Sequence, residues 1–328
     1  MRLKRIETIR LIAIFLIIWA HTQFFDGVKT ELPSAPAVGE IVVVMIARYT
    51  IPFFFLVSGF FLGGKIVDDP NQARAIAWKY SKKLLLLFVF WCAVYALENP
   101  ETFMRLMTKD PVTLFFEGTR IHLWFLMSLA LALWLFALWP LDRGGSSFVI
   151  FALALNVLGL LGGSYLPTPV GINLDFNTRN AIFFSAFYFG MGAWIHVKKP
   201  NVSPALAWGL FLFGQALFCL EVYFLYVNWS ALPIRHDYLV GSIPFGLGIF
   251  FVALSSKRET KLDTALEPYS KYVLGIYVAH LLVLDLWKPL GAYFPHMVWF
   301  FVMPILVFGS TLLGVILLSK TPLRRFVM

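Results

Sequence analysis

Residues 6–25 read IETIRLIAIFLIIWAHTQFF, and after Glu7 and Arg10 the run stays apolar as far as His21. About 17–25 mostly apolar residues in a helix cross the hydrocarbon core of a bilayer, so this stretch is long enough to span. Its basic start (Arg2, Lys4, Arg5) followed by an apolar run also suits a secretory signal. Bulky Trp19 and His21, however, stand where a small-x-small cleavage site belongs, so the segment is read as a retained first helix.

Nine further segments of the same kind follow: 41–63, 82–98, 122–140, 147–163, 180–197, 205–227, 239–255, 271–288 and 297–319. The expected fold is all-α, a polytopic membrane protein of about ten transmembrane helices forming a single domain over residues 1–328. Composition agrees: hydrophobic residues make up 59% of the 328 positions and charged residues 14%, too little polar surface for a soluble protein. The two cysteines, Cys92 and Cys219, lie in apolar runs and suggest neither a disulfide framework nor a metal site.

A net charge of +9 in a soluble chain would suggest nucleic acid, but here the basic residues gather at helix ends. With the N-terminus inside, the inner segments carry 19 basic residues, among them Lys65, Arg74, Lys79, Lys82, Lys83, Arg143, Lys257 and Arg258. The outer segments carry seven (Lys29, Arg105, Lys109, Arg120, Arg179, Arg235 and Lys288), and Arg48 lies within a span. This bias predicts an even number of crossings with both termini cytoplasmic, no nucleic-acid partner, and loops 26–40 and 164–179 outside. The stretch 100–118 is expected along the outer surface.

Ionisable groups at membrane depth cost several kcal/mol and by default mark a cavity or a site. The set is Arg10, His21, Arg48, Glu221, His280 and Asp285, with Asn156 and Gln215 as uncharged members. Arg10 and His21 are eleven residues apart, which leaves about 20° after three full turns, so they share a helix face about 16 Å apart along the axis. Glu7 stands three residues before Arg10, placed to orient its guanidinium. The plainer reading has Arg10 snorkelling and His21 capping a helix end. Depth alone would let Arg48 and Glu221 approach His21, or pair with each other. In RYTIPFFFLVSGFFLG (48–63), Pro52 and Ser58-Gly59 interrupt an aromatic run, either as a packing kink or as backbone lining a cavity.

These stretches together resemble the membrane-bound acyltransferase 3 family of bacterial O-acyltransferases. Glu7, Arg10 and His21 fit its first-helix pattern, and Arg48, Pro52, Ser58 and Gly59 its second. HLWFLMSL (122–129) is similar to a His-x-Trp-Phe-Leu helix start, and SKYVLGIYVAHLLVL (270–284) to its Tyr-x-x-His helix, with Tyr277 and His280. The family often has Arg-x-x-Arg before the third helix; here the place reads Lys79-Tyr-Ser-Lys82-Lys83, which keeps the charge and loses the bidentate fork. Within these residues no stretch is left for an appended soluble hydrolase-like domain.

The resemblance implies an acyl-CoA-dependent O-acetyltransferase of the bacterial inner membrane. It would move an acyl group, usually acetyl, from cytoplasmic acetyl-CoA to a hydroxyl of an extracytoplasmic glycan or lipid-linked saccharide, without a metal. On this reading His21 is the catalytic imidazole, as general base or as acyl carrier, supported by Glu7 and Arg10, with Arg48 and Ser58 at the oxyanion. Arg10, Lys79, Lys82 and Lys83 would take the CoA phosphates. Arg120, His122, Trp124, Glu221, Tyr277 and His280 would bind the acceptor. The competing class is a transporter or flippase of a polysaccharide or lipid-linked sugar, since buried charges in a helical bundle suit either; no internal repeat or pair of broken helices supports it.

Overall fold

The computed structural model describes residues 4–23, 35–140, 145–233, 236–255 and 259–328. Every regular element among them is helical. In chain order these are α1 (Lys4–Gln23), α2 (Ala35–Ala47), α3 (Thr50–Ser58), α4 (Gly64–Asp68), α5 (Ala73–Glu98), α6 (Pro100–Lys109), α7 (Pro111–Glu117), α8 (Trp124–Leu138) and α9 (Ser146–Gly162). There follow α10 (Ala186–Lys198), α11 (Pro204–Trp229), α12 (Ser242–Ser255), α13 (Lys261–Leu266), α14 (Val273–Trp287) and α15 (His296–Leu318). Two π-helical turns, Gly59–Gly63 and Ala181–Ser185, interrupt the α-helical runs.

Each of the ten predicted segments falls on helix over most of its described length. Six helical runs among the described residues are long and apolar enough to cross a membrane: Ile41–Asp68, Pro70–Glu98, Ile121–Leu138, Pro204–Trp229, Lys261–Tyr293 and Met297–Leu318. Ser146–Gly162 and Ser242–Ser255 are apolar but shorter. Several apolar helices of spanning length are what a multi-pass membrane protein requires. Several residues of the charge argument, namely Arg2, Lys29, Arg143, Arg235, Lys257 and Arg258, and loop 26–40 up to residue 34, lie outside the described residues.

By packing, the chain divides into two compact units, one of residues 1–50 and 256–328 and the other of residues 51–255. In the first unit α1 packs on α2, α13, α14 and α15. Aromatic edges hold α1 to α15, with Trp19 against Phe300 and Phe301 and Phe15 against Phe308. At its start α1 is latched by one carboxylate. Asp263, 1% exposed, accepts from Arg5 Nε at 3.0 Å, from the Thr8 hydroxyl at 2.8 Å, and from the backbone and hydroxyl of Thr260 at 2.8 and 2.7 Å. Lys4 and Glu259 add an ion pair at 2.6 Å. Removing one partner of a buried, hydrogen-bonded charge pair costs about 3–5 kcal/mol, because the other charge is left uncompensated. Asp263→Ala is therefore expected to lower the thermal unfolding midpoint of the detergent-solubilised protein, whereas Glu259→Ala, at an exposed pair, should leave it nearly unchanged. Equal midpoints for the two variants would show that the latch carries no stability.

In the second unit the first π-turn lies against α10. A Cβ placed on Gly59 would sit 1.8 Å from the Phe189 carbonyl oxygen, and one on Gly192 would sit 2.1 Å from that of Leu56. Only glycine lets two backbones come this close. The second π-turn is held from both sides. The Asn180 side chain accepts from the N–H groups of Ile182 and Phe183, and Asn156, fully buried in α9, donates to the Phe183 carbonyl at 2.8 Å. A buried asparagine of α9 thus donates directly to the backbone of the π-turn. Stretch 100–118 forms α6 and α7, each opened by a capping residue and a proline: Asn99 with Pro100, and Asp110 with Pro111. Between them the two helices expose Met104, Met107, Val112, Phe115 and Phe116.

Candidate active site

In the first unit, α1 carries Glu7, Arg10 and His21 on the face that helical arithmetic assigns them. Arg10 Nη1 meets Glu7 Oε2 at 2.7 Å, with the two side chains 26% and 14% exposed. Between Arg10 and His21 the helix is covered: Ile14 and Ile18 are fully buried and Ile17 nearly so. His21 is half-buried, and its ring lies 5.3 Å, centroid to centroid, from that of His280 at a tilt of 36°.

His280 is 0% exposed, and its Nδ1 lies 2.6 Å from the Tyr277 carbonyl oxygen, with the Tyr277 ring 6.1 Å away. A carbonyl only accepts, so Nδ1 carries a hydrogen and in the neutral ring the lone pair falls on Nε2. The structure thereby places the rings of His21 and His280 side by side, with Tyr277 next to His280, while Arg10 and Glu7 stand about 16 Å away along α1. Arg48, half-buried, sits where α2 gives way to α3, beside a turn closed by the Thr50 hydroxyl on the Ala47 carbonyl at 2.6 Å.

The second unit holds the remaining expected residues in separate places. Ser58 donates its hydroxyl to the Phe54 carbonyl at 2.8 Å, just before the π-turn. Lys79, Lys82 and Lys83 are exposed on one side of α5, spaced three and four residues apart. Lys65 reaches the Tyr80 hydroxyl at 2.8 Å. Glu221 is occupied structurally: its carboxylate accepts from the Tyr165 hydroxyl, from the Val240 N–H at 3.2 Å and from the Gly241 N–H at 2.7 Å. It thus pins the turn that opens α12. Burial first, and then the Glu221 carboxylate, push the Tyr165 hydroxyl above the ordinary phenol range, so it remains a donor at neutral pH.

Arg120, His122 and Trp124 gather in a cluster that the sequence only half revealed. Arg120 Nη2 contacts both carboxylate oxygens of Glu98 at 2.9 Å, and the guanidinium carbon lies 5.5 Å from the centre of the Tyr95 ring, against which His122 packs edge-on at 5.4 Å. Trp124 is buried beneath the guanidinium of Arg179, 5.0 Å from its ring. Arg179 is paired with Asp237 at 2.7 Å and with Glu117 at 3.7 Å. Glu98, Glu117, Arg179 and Asp237 carry no local signal. Their partners lie 22 to 62 residues away, and no helical period links them.

The family model for the acyltransferase domain matches residues 3–319. Two curated relatives from Enterococcus faecalis, each named amino-acid racemase, are 23% identical over 316 residues (90% of this chain, 43% of theirs) and 27% identical over 242 residues (65% and 31%). A serine/alanine racemase from Enterococcus gallinarum is 24% identical over 267 residues, 76% of this chain and 37% of its own. The chain thus spans less than half the length of the curated relatives it matches. No solved structure matches it.

Proposed function

The chain belongs to the acyltransferase 3 family, and on that premise we propose that it is a membrane acyltransferase that moves an acetyl group from cytoplasmic acetyl-CoA to a hydroxyl of a glycan or lipid-linked saccharide on the far side of a bacterial cytoplasmic membrane. The observation that supports this reading is His21, an imidazole on the Arg10 face of α1 whose ring lies 5.3 Å from that of His280. Imidazole exchanges protons near neutrality, which acyl transfer to an alcohol requires. In direct transfer His21 takes the hydroxyl proton, the oxygen forms a bond to the acyl carbon, the C–S bond breaks, and the thiolate leaves with that proton. In the two-step route His21 holds the acyl group between donor and acceptor.

Arg10, steadied by Glu7, shares the His21 face of α1 about 16 Å along the axis, and Arg48 of the same unit is proposed for the developing oxyanion. Tyr277 of the first unit is proposed for the acceptor, and Arg120, His122 and Trp124 of the second unit form a separate candidate cluster for binding a saccharide. Among the added residues, Arg179 joins Arg120 as a planar donor on an aromatic ring. Glu221 enters as the residue that shapes the turn before α12. Ten crossings with both termini inside complete the proposed topology. The racemase names describe proteins more than twice as long as the region matched, and no racemisation is proposed for this chain.

The test is thiol release from acetyl-CoA by the purified protein in nanodiscs, together with the O-acetyl content of surface glycans in a deletion strain. No thiol release and unchanged glycans would overturn the reading in favour of transport. A second measurement addresses the donor site. Charge-assisted hydrogen bonds contribute about 1.5–3 kcal/mol each, so replacing Lys79, Lys82 and Lys83 together by Ala should weaken acetyl-CoA binding at least about tenfold. Calorimetric affinity equal to wild type would restrict these lysines to setting topology.

A further inference from the structure

Within the first unit one buried group has no part in the direct reaction as written. His280 stands on α14, fully enclosed, its Nδ1–H committed to the Tyr277 carbonyl at 2.6 Å and its ring 5.3 Å from His21. A base that must abstract a proton works best when a third group sets its tautomer and orientation. The tautomer of His280 is itself set, because the carbonyl leaves Nδ1 no choice but to donate. Nε2 is then the atom through which His280 acts on a neighbour, and the neighbouring ring is that of His21.

We propose that His280 is the positioning residue of His21, holding one His21 nitrogen protonated and turning the other, with its lone pair, toward the reacting carbonyl or hydroxyl. One water or a small turn of the His21 ring completes the bond from His21 N–H to His280 Nε2. The order is then acceptor hydroxyl, His21, His280, Tyr277 carbonyl. His21 alone gains and loses the travelling proton, and His280 ends each cycle in the state in which it began. α1 is fixed for this task at both ends by one continuous stretch of chain: Asp263 on α13 holds Arg5 and Thr8, and His280 on α14 meets His21.

The inference rests on the acyltransferase reading, and its test is chosen to read His21 directly, without an acceptor. Diethyl pyrocarbonate acylates nucleophilic imidazole, and its rate at His21 is followed by mass spectrometry of the α1 peptide in the nanodisc-reconstituted chain. His280→Leu fills the volume without a polar atom, and His280→Gln offers an amide oxygen in place of Nε2. His21 modification should slow about tenfold or more in the Leu variant and recover largely in the Gln variant. Acetyl-CoA thiol release should follow the same order, through kcat rather than KM. Equal modification rates in wild type, Leu and Gln variants would overturn the proposal. So would a Gln variant no faster than the Leu variant, which would reduce His280 to a shape, or no modification of His21 in any of them. Wild-type protein that shows reactive His21 but releases no thiol would instead overturn the acyltransferase reading and leave the pairing standing.

Discussion

His21→Ala is expected to abolish acyl transfer while leaving acetyl-CoA binding and the folded protein intact. A positioned general base contributes about 10²–10⁴-fold, and loss of an acyl carrier is at least as severe. The substitution should be cheap structurally, because His21 is only half-buried and the packing of α1 rests on other residues. Ile6, Ala13, Ile14 and Ile18 are fully buried, and Trp19 engages α15. Thiol release by the purified variant, with its elution profile and acetyl-CoA affinity beside those of wild type, decides the matter. Turnover at the wild-type rate would remove His21 from the mechanism.

The largest effect on folding is expected at Gly59. In Gly59→Ala the new methyl would lie 1.8 Å from the Phe189 carbonyl oxygen, 2.7 Å from its carbon and 2.9 Å from its Cα. All three are backbone atoms of α10, so no rotamer change relieves the clash. The π-turn and α10 must part, and Gly192 repeats the constraint from the other side, where a Cβ would meet the Leu56 carbonyl at 2.1 Å. Overpacking in cores costs about 1–3 kcal/mol when side chains can yield. With only backbone to move, Gly59→Ala should exceed that range and yield protein that aggregates on extraction. Gly209→Ala on α11 is the control, since a Cβ there meets nothing within 4 Å. A monodisperse Gly59→Ala protein with the thermal midpoint of Gly209→Ala would show that the close approach is not maintained in the membrane.

Most of what the sequence made legible is local. Apolar runs long enough to span announce helices, because in hydrocarbon a lone segment can satisfy its backbone only by bonding within itself. The shared face of Arg10 and His21 follows from the helical period, and the Glu7–Arg10 pair from a spacing of three. Glu221 shows the limit of such reasoning. Its depth marked it as a binding residue, yet its carboxylate is engaged by Tyr165 and by the backbone of residues 240 and 241. Cost in the membrane says that a charge has a reason to be there and does not say which reason.

The sequence alone therefore determined a helical membrane chain, the shared α1 face of Arg10 and His21, and, through ordered motifs, the family. Tertiary structure alone decided which residue stands opposite His21, which carboxylate latches Arg5, and which acids pair with Arg120 and Arg179. Asp263 is 258 positions from Arg5 along the chain, and His280 meets His21 across a comparable length. The physical reason lies in the two kinds of interaction. Helix formation and membrane insertion depend on neighbours within a turn or two, which the sequence displays in order. Side-chain pairing between helices depends on rotation about each helix axis and on which helices become neighbours, and both are set only when packing excludes the alternatives.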